Sequence, residues 1–411
     1  MRAVAANHTR PIWAEISASA LRHNLQALRH AAGPAVELLA VIKADAYGHG
    51  AAECAPVLAG AGATWLGVTS VEEGVAVRAA LGILPQGMSP RVLVMCGLWP
   101  GEEAACIERG LTPVLWEPYH LDLLEAEARR RHMPPGSVAV HAEIDTGMAR
   151  QGVTAGPLLD RLLARFTPDS PLLLEGVLTH LASSEDTASP QNAAQMAAFQ
   201  RALQQVAAAG LRPLWVHAGN TSSTDSGLIP AQLPALAAAL GARAMTRAGL
   251  ALYGYTLPLT GTAAGTTAHV APALMPAMTW KTRIVSLREL PAGSTIGYSG
   301  TYTAPHDLRV ALLPVGYADG YRRALSSSNA TPGGHVLLHG RRAAVLGRVS
   351  MDLTVVDVTD LSAANIGDEA VLLGAQAGDV IRADEHAALA NTHTYEILCG
   401  ISDRVPRIVV E

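Results

Sequence analysis

In the stretch "LLAVIKADAYGHG", residues 38–50, a lysine closes a run of apolar residues, and polar residues with two glycines follow at once. An ammonium at the end of a buried strand is partly desolvated, which favours the neutral amine and makes Lys43 a candidate nucleophile or Schiff-base former. A lysine snorkelling at a strand end is the competing reading. Gly48 and Gly50 would leave room for a bulky ligand beside it. Further along, "THLA" carries His180, "HAGNTSST" carries Asn220 and Thr221, and "TRAGLALYG" carries Arg247, Gly249 and Leu250. Hydroxyls, backbone amides near glycine and a helix start make a phosphate cradle. A phosphate cradle opposite a lysine suggests pyridoxal phosphate. Taken singly, His180 and Arg247 suit structural hydrogen bonds equally well.

The motif "HAEIDTGMARQG" holds a different kind of information. Strand alternation puts His141, Glu143 and Asp145 on one face and Val140, Ala142 and Ile144 on the other. If the charged face points into a barrel mouth, Glu143 needs a partner, because stranding one member of a buried ion pair costs roughly 3–5 kcal/mol. Arg150 is the expected partner, and a hydrated rim is the alternative.

These residues need elements to hold them. Eight short apolar runs alternate with helical patterns: "ELLAVIK", "WLGVTS", "RVLVMCG", "TPVLWE", "VAVHAEI", "LLLEGVLTH", "LWVHAGN" and "AMTRAGL". Between the last few lies "NAAQMAAFQRALQQVAAAG", where Met196, Phe199, Leu203 and Val206 recur at helical spacing and Gly210 suits a C-cap. The count fits an α/β fold of the (β/α)8 barrel type, with a doubly wound open sheet as the alternative, since sequence does not show closure. Either fold places reactive groups beyond the C-terminal strand ends.

After residue 256 the pattern changes. The Thr-, Ala- and Pro-rich "TLPLTGTAAGTTAHVAPALMPAM" reads as a linker or long loop. Strand-like segments follow it, "TWKTRIVSLREL" to "RVPRIVV", and read as an all-β second domain. We therefore expect a barrel over 17–256 and a β-strand domain over 257–411, with the strand "IWAEI" near residues 10–16 packing with the latter.

Composition narrows the partners. Hydrophobic residues make up 49% and charged residues 16% of 411, as in a well-buried globular chain, and a formal charge of −5 offers no attraction for nucleic acid or an anionic membrane. A small molecule is the default ligand. The four cysteines form no CxxC pair and no zinc spacing, so no metal is expected. "MRAVAANHTRPIW" lacks the apolar core of a secretory signal and no run suits a membrane span, so the expected compartment is the cytoplasm.

Together the motifs resemble those of the alanine racemases. The similarity covers nearly the whole chain, from "PIWAEISASALRHNLQALR" through "AVIKADAYGHG", "EIDTGMARQG", "GVLTHLA", "TRAGLALYG", "IGYSGTYTA", "LLPVGYADGYRR" and "LGRVSMDLTVVDV" to "TYEILCGISDRVPR". The resemblance implies a pyridoxal 5'-phosphate enzyme acting on alanine as a head-to-tail homodimer, supplying D-alanine for peptidoglycan. It implies that Lys43 holds the cofactor covalently and that Tyr47, Thr221, Gly249, Leu250 and Tyr395 match the phosphate side, next to Asn220. Arg247 matches the residue facing the pyridine nitrogen, and Arg150 the one beside the phenolic oxygen and substrate carboxylate.

Racemisation needs proton exchange on both faces of the α-carbon. The resemblance assigns one face to Lys43 and the other to Tyr298, contributed by the partner subunit. A free tyrosine, with a pKa near 10, is a poor base at neutral pH and needs supporting neighbours. His180 backed by Arg247 is the implied support. Met351 and Asp352 match the partner's share of the substrate pocket, with Tyr317 and Tyr395 at its entrance. Glu143 stands where many relatives carry a carbamylated lysine, and we expect it to replace the carbamate and hold Arg150. Racemases of serine, lysine or broad scope, fold-related decarboxylases and a non-catalytic cofactor carrier are the alternatives. Arg247 speaks against the decarboxylases, which use a carboxylate at that nitrogen, while Cys399 alone is weak support for them.

Overall fold

Strands covered by helices outside and filled by side chains inside must be apolar on both faces. That is how the eight runs behave in the computed structural model, which describes residues 9–82, 89–261 and 268–411. After a first strand, β1 (Ile12–Ser17), come β2 (Val36–Val41), β3 (Trp65–Val68), β4 (Arg91–Val94), β5 (Leu111–Leu115), β6 (Val138–Glu143), β7 (Leu172–Leu178), β8 (Trp215–His217) and β9 (Arg243–Ala248). All five residues of β5 are buried. Strands β2 to β9 pair in parallel in sequence order, and β9 returns to β2 with Arg247 opposite Leu39. The sheet is a closed eight-stranded barrel, which removes the open-sheet alternative. Helices fill the crossovers: in Pro190–Ala208 the buried stripe includes Met196, Phe199, Leu203 and Val206, and Gly210 follows at φ +78°.

The chain divides into two compact units. One comprises Ser19–Ala46 and Cys54–Met275, and the other the residues up to Ala18, Tyr47–Glu53 and Pro276–Glu411. Within the barrel unit the stretch after residue 256 is pinned and does not run as a plain linker. The Thr260 amide donates to the Glu185 carbonyl, Asp225 accepts from Val270 and Ala271, and Asn24 accepts from Met275. Residues 262–267 of that stretch lie outside the described residues.

In the second unit β1 pairs antiparallel with β10 (Met278–Arg283) and parallel with Arg407–Val410, inside a seven-stranded sheet. A three-stranded sheet and a two-stranded hairpin complete the strands. Two short helices, Ala383–Leu389 and Thr394–Cys399, interrupt what reads from sequence as all-β. Each is too short for its periodicity to stand out from a strand. Among the described residues no helix is long and apolar enough to cross a membrane. Residues 1–8, on which the reading of the N-terminus rests, lie outside the described residues.

Candidate active site

Beyond β2 the chain does not run into an open loop. Residues Lys43–Gly48 form a single helical turn, and it is left-handed: φ is +50°, +52°, +54° and +53° at Ala44, Asp45, Ala46 and Tyr47. Left-handed helix costs an L-residue roughly 1–2 kcal/mol, so such a run persists only where its surroundings over-determine it. One brace is Glu73. Its Oε1 accepts from the Ala44 amide at 2.7 Å, while Oε2 accepts from the amide and hydroxyl of Thr69 at 2.7 and 2.8 Å. Ser70 caps the helix Val71–Leu81 by accepting from the Glu73 amide. The Ser-x-x-Glu spacing is a helix-start signature legible in sequence. That its carboxylate would serve the lysine turn is not.

Gly48 and Gly50 are not there to make room. A Cβ on Gly48 would meet the Leu398 carbonyl oxygen at 2.2 Å, and one on Gly50 would meet Glu53 Oε2 at 2.3 Å. Backbone approach and left-handed φ require them. Lys43 is half-buried.

The other barrel residues come from the ends of the seventh to ninth strands. Arg247 Nη2 donates to the Thr179 carbonyl at 2.8 Å and to His180 Nδ1 at 3.2 Å. Arg247 is 5% exposed, and Nη1 is a buried donor without an acceptor among the described residues. Burial pushes its pKa down to about 10, against the opposing field of Glu143. It remains a cation at neutral pH. Thr221 Oγ1 accepts from the Gly249 and Ala251 amides at 3.2 and 3.4 Å, beside Leu250, which is fully buried. Asn220 caps its own short turn, accepting from the Ser223 amide at 3.1 Å. Gln195, which sequence reasoning missed, holds the strand end by donating to Thr146 Oγ1 and the His180 carbonyl.

Glu143 is 4% exposed, so the hydrated-rim alternative fails. Its partner is not Arg150. Glu143 Oε2 accepts from Gln151 Nε2 at 2.5 Å, and the same amide donates to the Met95 carbonyl at 3.0 Å. Asp145 shapes the intervening loop by accepting from Gly147, Met148 and Ala149, and Arg150 emerges exposed. A glutamate is too short to follow it, so the adjacent amide takes the contact. Burial raises the Glu143 pKa, opposed first by Gln151 and then by Arg247 and Arg150.

In the second unit, the Tyr47 and Tyr395 rings lie 5.8 Å apart, tilted by 41°. Burial raises the Tyr47 pKa, so its phenol stays protonated. Tyr298 opens a short turn and is 70% exposed. Tyr317 and Met351 are brought side by side by backbone bonds: the Tyr317 amide donates to Ser350 and the Ala318 amide to Met351. A Cβ on Gly316 would meet the Met351 carbonyl oxygen at 2.4 Å, so only glycine allows that approach. Asp352 accepts from Arg404 Nη2 at 2.7 Å.

Residues 16–257 match the family described as alanine racemase, N-terminal domain, and residues 277–409 match alanine racemase, C-terminal domain. An alanine racemase of Symbiobacterium thermophilum is 41% identical over 404 residues, covering 97% of each chain. The solved alanine racemase of Streptomyces coelicolor A3(2) superposes with a TM-score of 0.84 at 33% identity, over 97% of this chain and 98% of its own. That of Bartonella henselae, solved with covalently bound pyridoxal phosphate, superposes with a TM-score of 0.76 at 26% identity, over 97% and 99%. With both domains matched in order along a chain that carries the lysine turn and the Arg247–His180 pair, this protein belongs to the alanine racemase family.

Proposed function

We propose that this chain interconverts L- and D-alanine, with pyridoxal 5'-phosphate held covalently on Lys43. The observation that carries the reading is the Arg247–His180 pair on a barrel whose first strand ends in Lys43. The residues present fit the cofactor. Arg247 has five N–H donors, of which the Thr179 carbonyl and His180 take two, leaving donors for a ring nitrogen. Thr221 and the amide of Leu250 suit its phosphate, with Gly249, whose amide donates to Thr221, and Asn220 beside them. When bound, the cofactor delocalises the electron pair left on the α-carbon.

The chain's own groups do the rest. Lys43 exchanges the α-proton on one face, and the phenol of Tyr298 from a second copy exchanges it on the other. The exposure of Tyr298 on a single chain supports a homodimer that covers it. His180 donates from Nε2 and stabilises the phenolate. Arg150 binds the substrate carboxylate, and the second copy contributes Met351 and Asp352 to the pocket, with Tyr317 at its entrance. Glu143 supplies the anion that other sites obtain by carbamylation, acting through space on Arg150 and Arg247. The barrel unit, which runs on to Met275 rather than ending at residue 256, is the main cofactor-binding part, and the second unit the β-strand part, of a cytoplasmic enzyme supplying D-alanine for peptidoglycan.

Two measurements test the proposal. Borohydride reduction of the holoprotein followed by peptide mapping should leave a pyridoxyl group on Lys43. Both enantiomers of alanine should take up solvent deuterium at the α-carbon. No label on Lys43, or binding without exchange, overturns the assignment, and carbon dioxide release would point to a decarboxylase.

A further inference from the structure

Below the site, the barrel interior holds a second chain of polar groups that the proposed reaction does not use. Arg91 Nη1 donates to Glu175 Oε1 at 2.5 Å, and Nη2 donates to Thr112 Oγ1 at 2.8 Å. His141 Nε2 lies 3.3 Å from Glu175 Oε2, and His141 Nδ1 lies 2.8 Å from His217 Nε2. Both imidazoles have no solvent exposure. Burial holds each of them neutral, lowering the pKa of His141 and lowering that of His217 further.

With both imidazoles neutral, one arrangement of protons satisfies these contacts. An ionised carboxylate accepts and cannot donate, so His141 carries its proton on Nε2 and keeps a lone pair on Nδ1. That lone pair accepts from Nε2–H of His217. His217 is thereby left with a lone pair on Nδ1, which is buried and has no partner among the described residues. Arg247 Nη1 is the complementary case, a buried donor without an acceptor. Met245 of β9 stands opposite His217 of β8 in the parallel register. Arg247 is two residues further along the same face, so the unpaired donor sits one layer above the unpaired acceptor.

We propose that Glu175, His141 and His217 form a tautomer relay that presents the Nδ1 lone pair of His217 to Arg247 and positions its guanidinium. On this proposal two neutral imidazoles serve the guanidinium, His180 in contact with Nη2 and His217 on the side of Nη1, the two unpaired atoms not being bonded to each other in this structure. Among the described residues no carboxylate forms an ion pair with it. Glu175, His141 and His217 are positioning residues, and their consequence for catalysis rests on the proposed reading that Arg247 faces the cofactor ring.

Glu175→Gln tests the relay because its outcome is directional. Arg91 retains the amide oxygen, which turns the amide N–H2 toward His141 and reverses every proton in the chain. In the wild-type holoenzyme, 15N spectra of labelled histidines should show His141 and His217 protonated on Nε2. In Glu175→Gln both should be protonated on Nδ1, and kcat should fall about tenfold or more in both directions with KM for alanine changed less than about twofold, the usual scale for losing an orienting partner. His217→Phe, which has no lone pair, should show the same loss, and adding Glu175→Gln to it should cost nothing further. A wild-type His217 protonated on Nδ1, or a Glu175→Gln variant with reversed protons and unchanged kcat, overturns the relay. Should Glu175→Gln not fold, the wild-type spectrum and His217→Phe decide. Failure of the functional reading looks different: the wild type would carry no pyridoxyl label and would not exchange the α-proton.

Discussion

Arg247 Nη2 lies 3.2 Å from His180 Nδ1, and this contact fixes which nitrogen of His180 carries the proton. A guanidinium only donates, so Nδ1 holds the lone pair and Nε2 the hydrogen. Burial, then the charges of Arg247, Arg150 and Lys43, hold the His180 pKa down to about 3. The imidazole is neutral across the working range, with its hydrogen on Nε2.

His180 shares this property with His120 and His386, each brought to about 4 by burial. All three start from 6.5 in the unfolded chain. The unfolded state takes up protons that the folded state refuses, so destabilisation begins as pH falls through 6.5 and levels off near the folded values. At pH 5 each histidine should cost roughly 2 kcal/mol relative to pH 7. Tm should therefore fall between pH 7 and 5, before most carboxylates titrate. A flat Tm over that window would contradict the burial of these rings as neutral groups.

The lysine turn should depend on its brace. Glu73→Ala removes the acceptor of the exposed Ala44 amide and the half-buried Thr69 amide, at a cost of about 0.5–1.5 kcal/mol for each hydrogen bond lost. Titration of the apoprotein with pyridoxal phosphate should show weaker binding than in the wild type, more so than in Glu72→Ala. Equal affinities in the two variants would mean the turn holds itself.

Gln151 should matter more to the fold than its type suggests. Gln151→Leu removes the donor from a buried carboxylate, and urea unfolding should show a loss of about 1–3 kcal/mol. Glu143→Gln keeps the contact but removes the charge, so it should spare stability while lowering cofactor affinity and activity. If Glu143→Gln leaves both untouched, the carboxylate does not replace a carbamate.

Gly48→Ala is expected to be among the most damaging small substitutions in the chain. It combines φ +78° with a Cβ 2.2 Å from a backbone oxygen. Soluble yield and Tm should both collapse, whereas Gly33→Ala, with nothing within 4 Å, should behave as a modest backbone change.

Tyr298→Phe should impair deuterium uptake by one enantiomer of alanine far more than by the other. Equal losses would argue against assigning the two faces to two different groups.

Much of this was readable in advance. The eight strand runs and the helix Pro190–Ala208 were legible because burying an apolar run or stripe is a property of neighbouring residues. The position of Lys43 at a strand end was legible for the same reason. The second-unit helices were not, since six or seven residues span too few turns to show a period. Arg150 was misjudged as the partner of Glu143 because strand alternation gives the face of a side chain and not its reach. Gln151, one residue away, is held by the Met95 carbonyl from a different strand's end.

The sequence by itself determined the order of the elements, the lysine and its following glycines, and the residue types available at each strand end. Closure of the barrel, the left-handed turn behind Lys43 and the protonation of its histidines were decided by the tertiary structure. Those depend on atoms that meet only after folding: β9 returns to β2, Glu73 reaches Ala44, and Arg247 meets a histidine 67 residues earlier. Hydrogen-bond donors and acceptors are assigned pair by pair, and no local pattern of hydrophobicity encodes which pairs form.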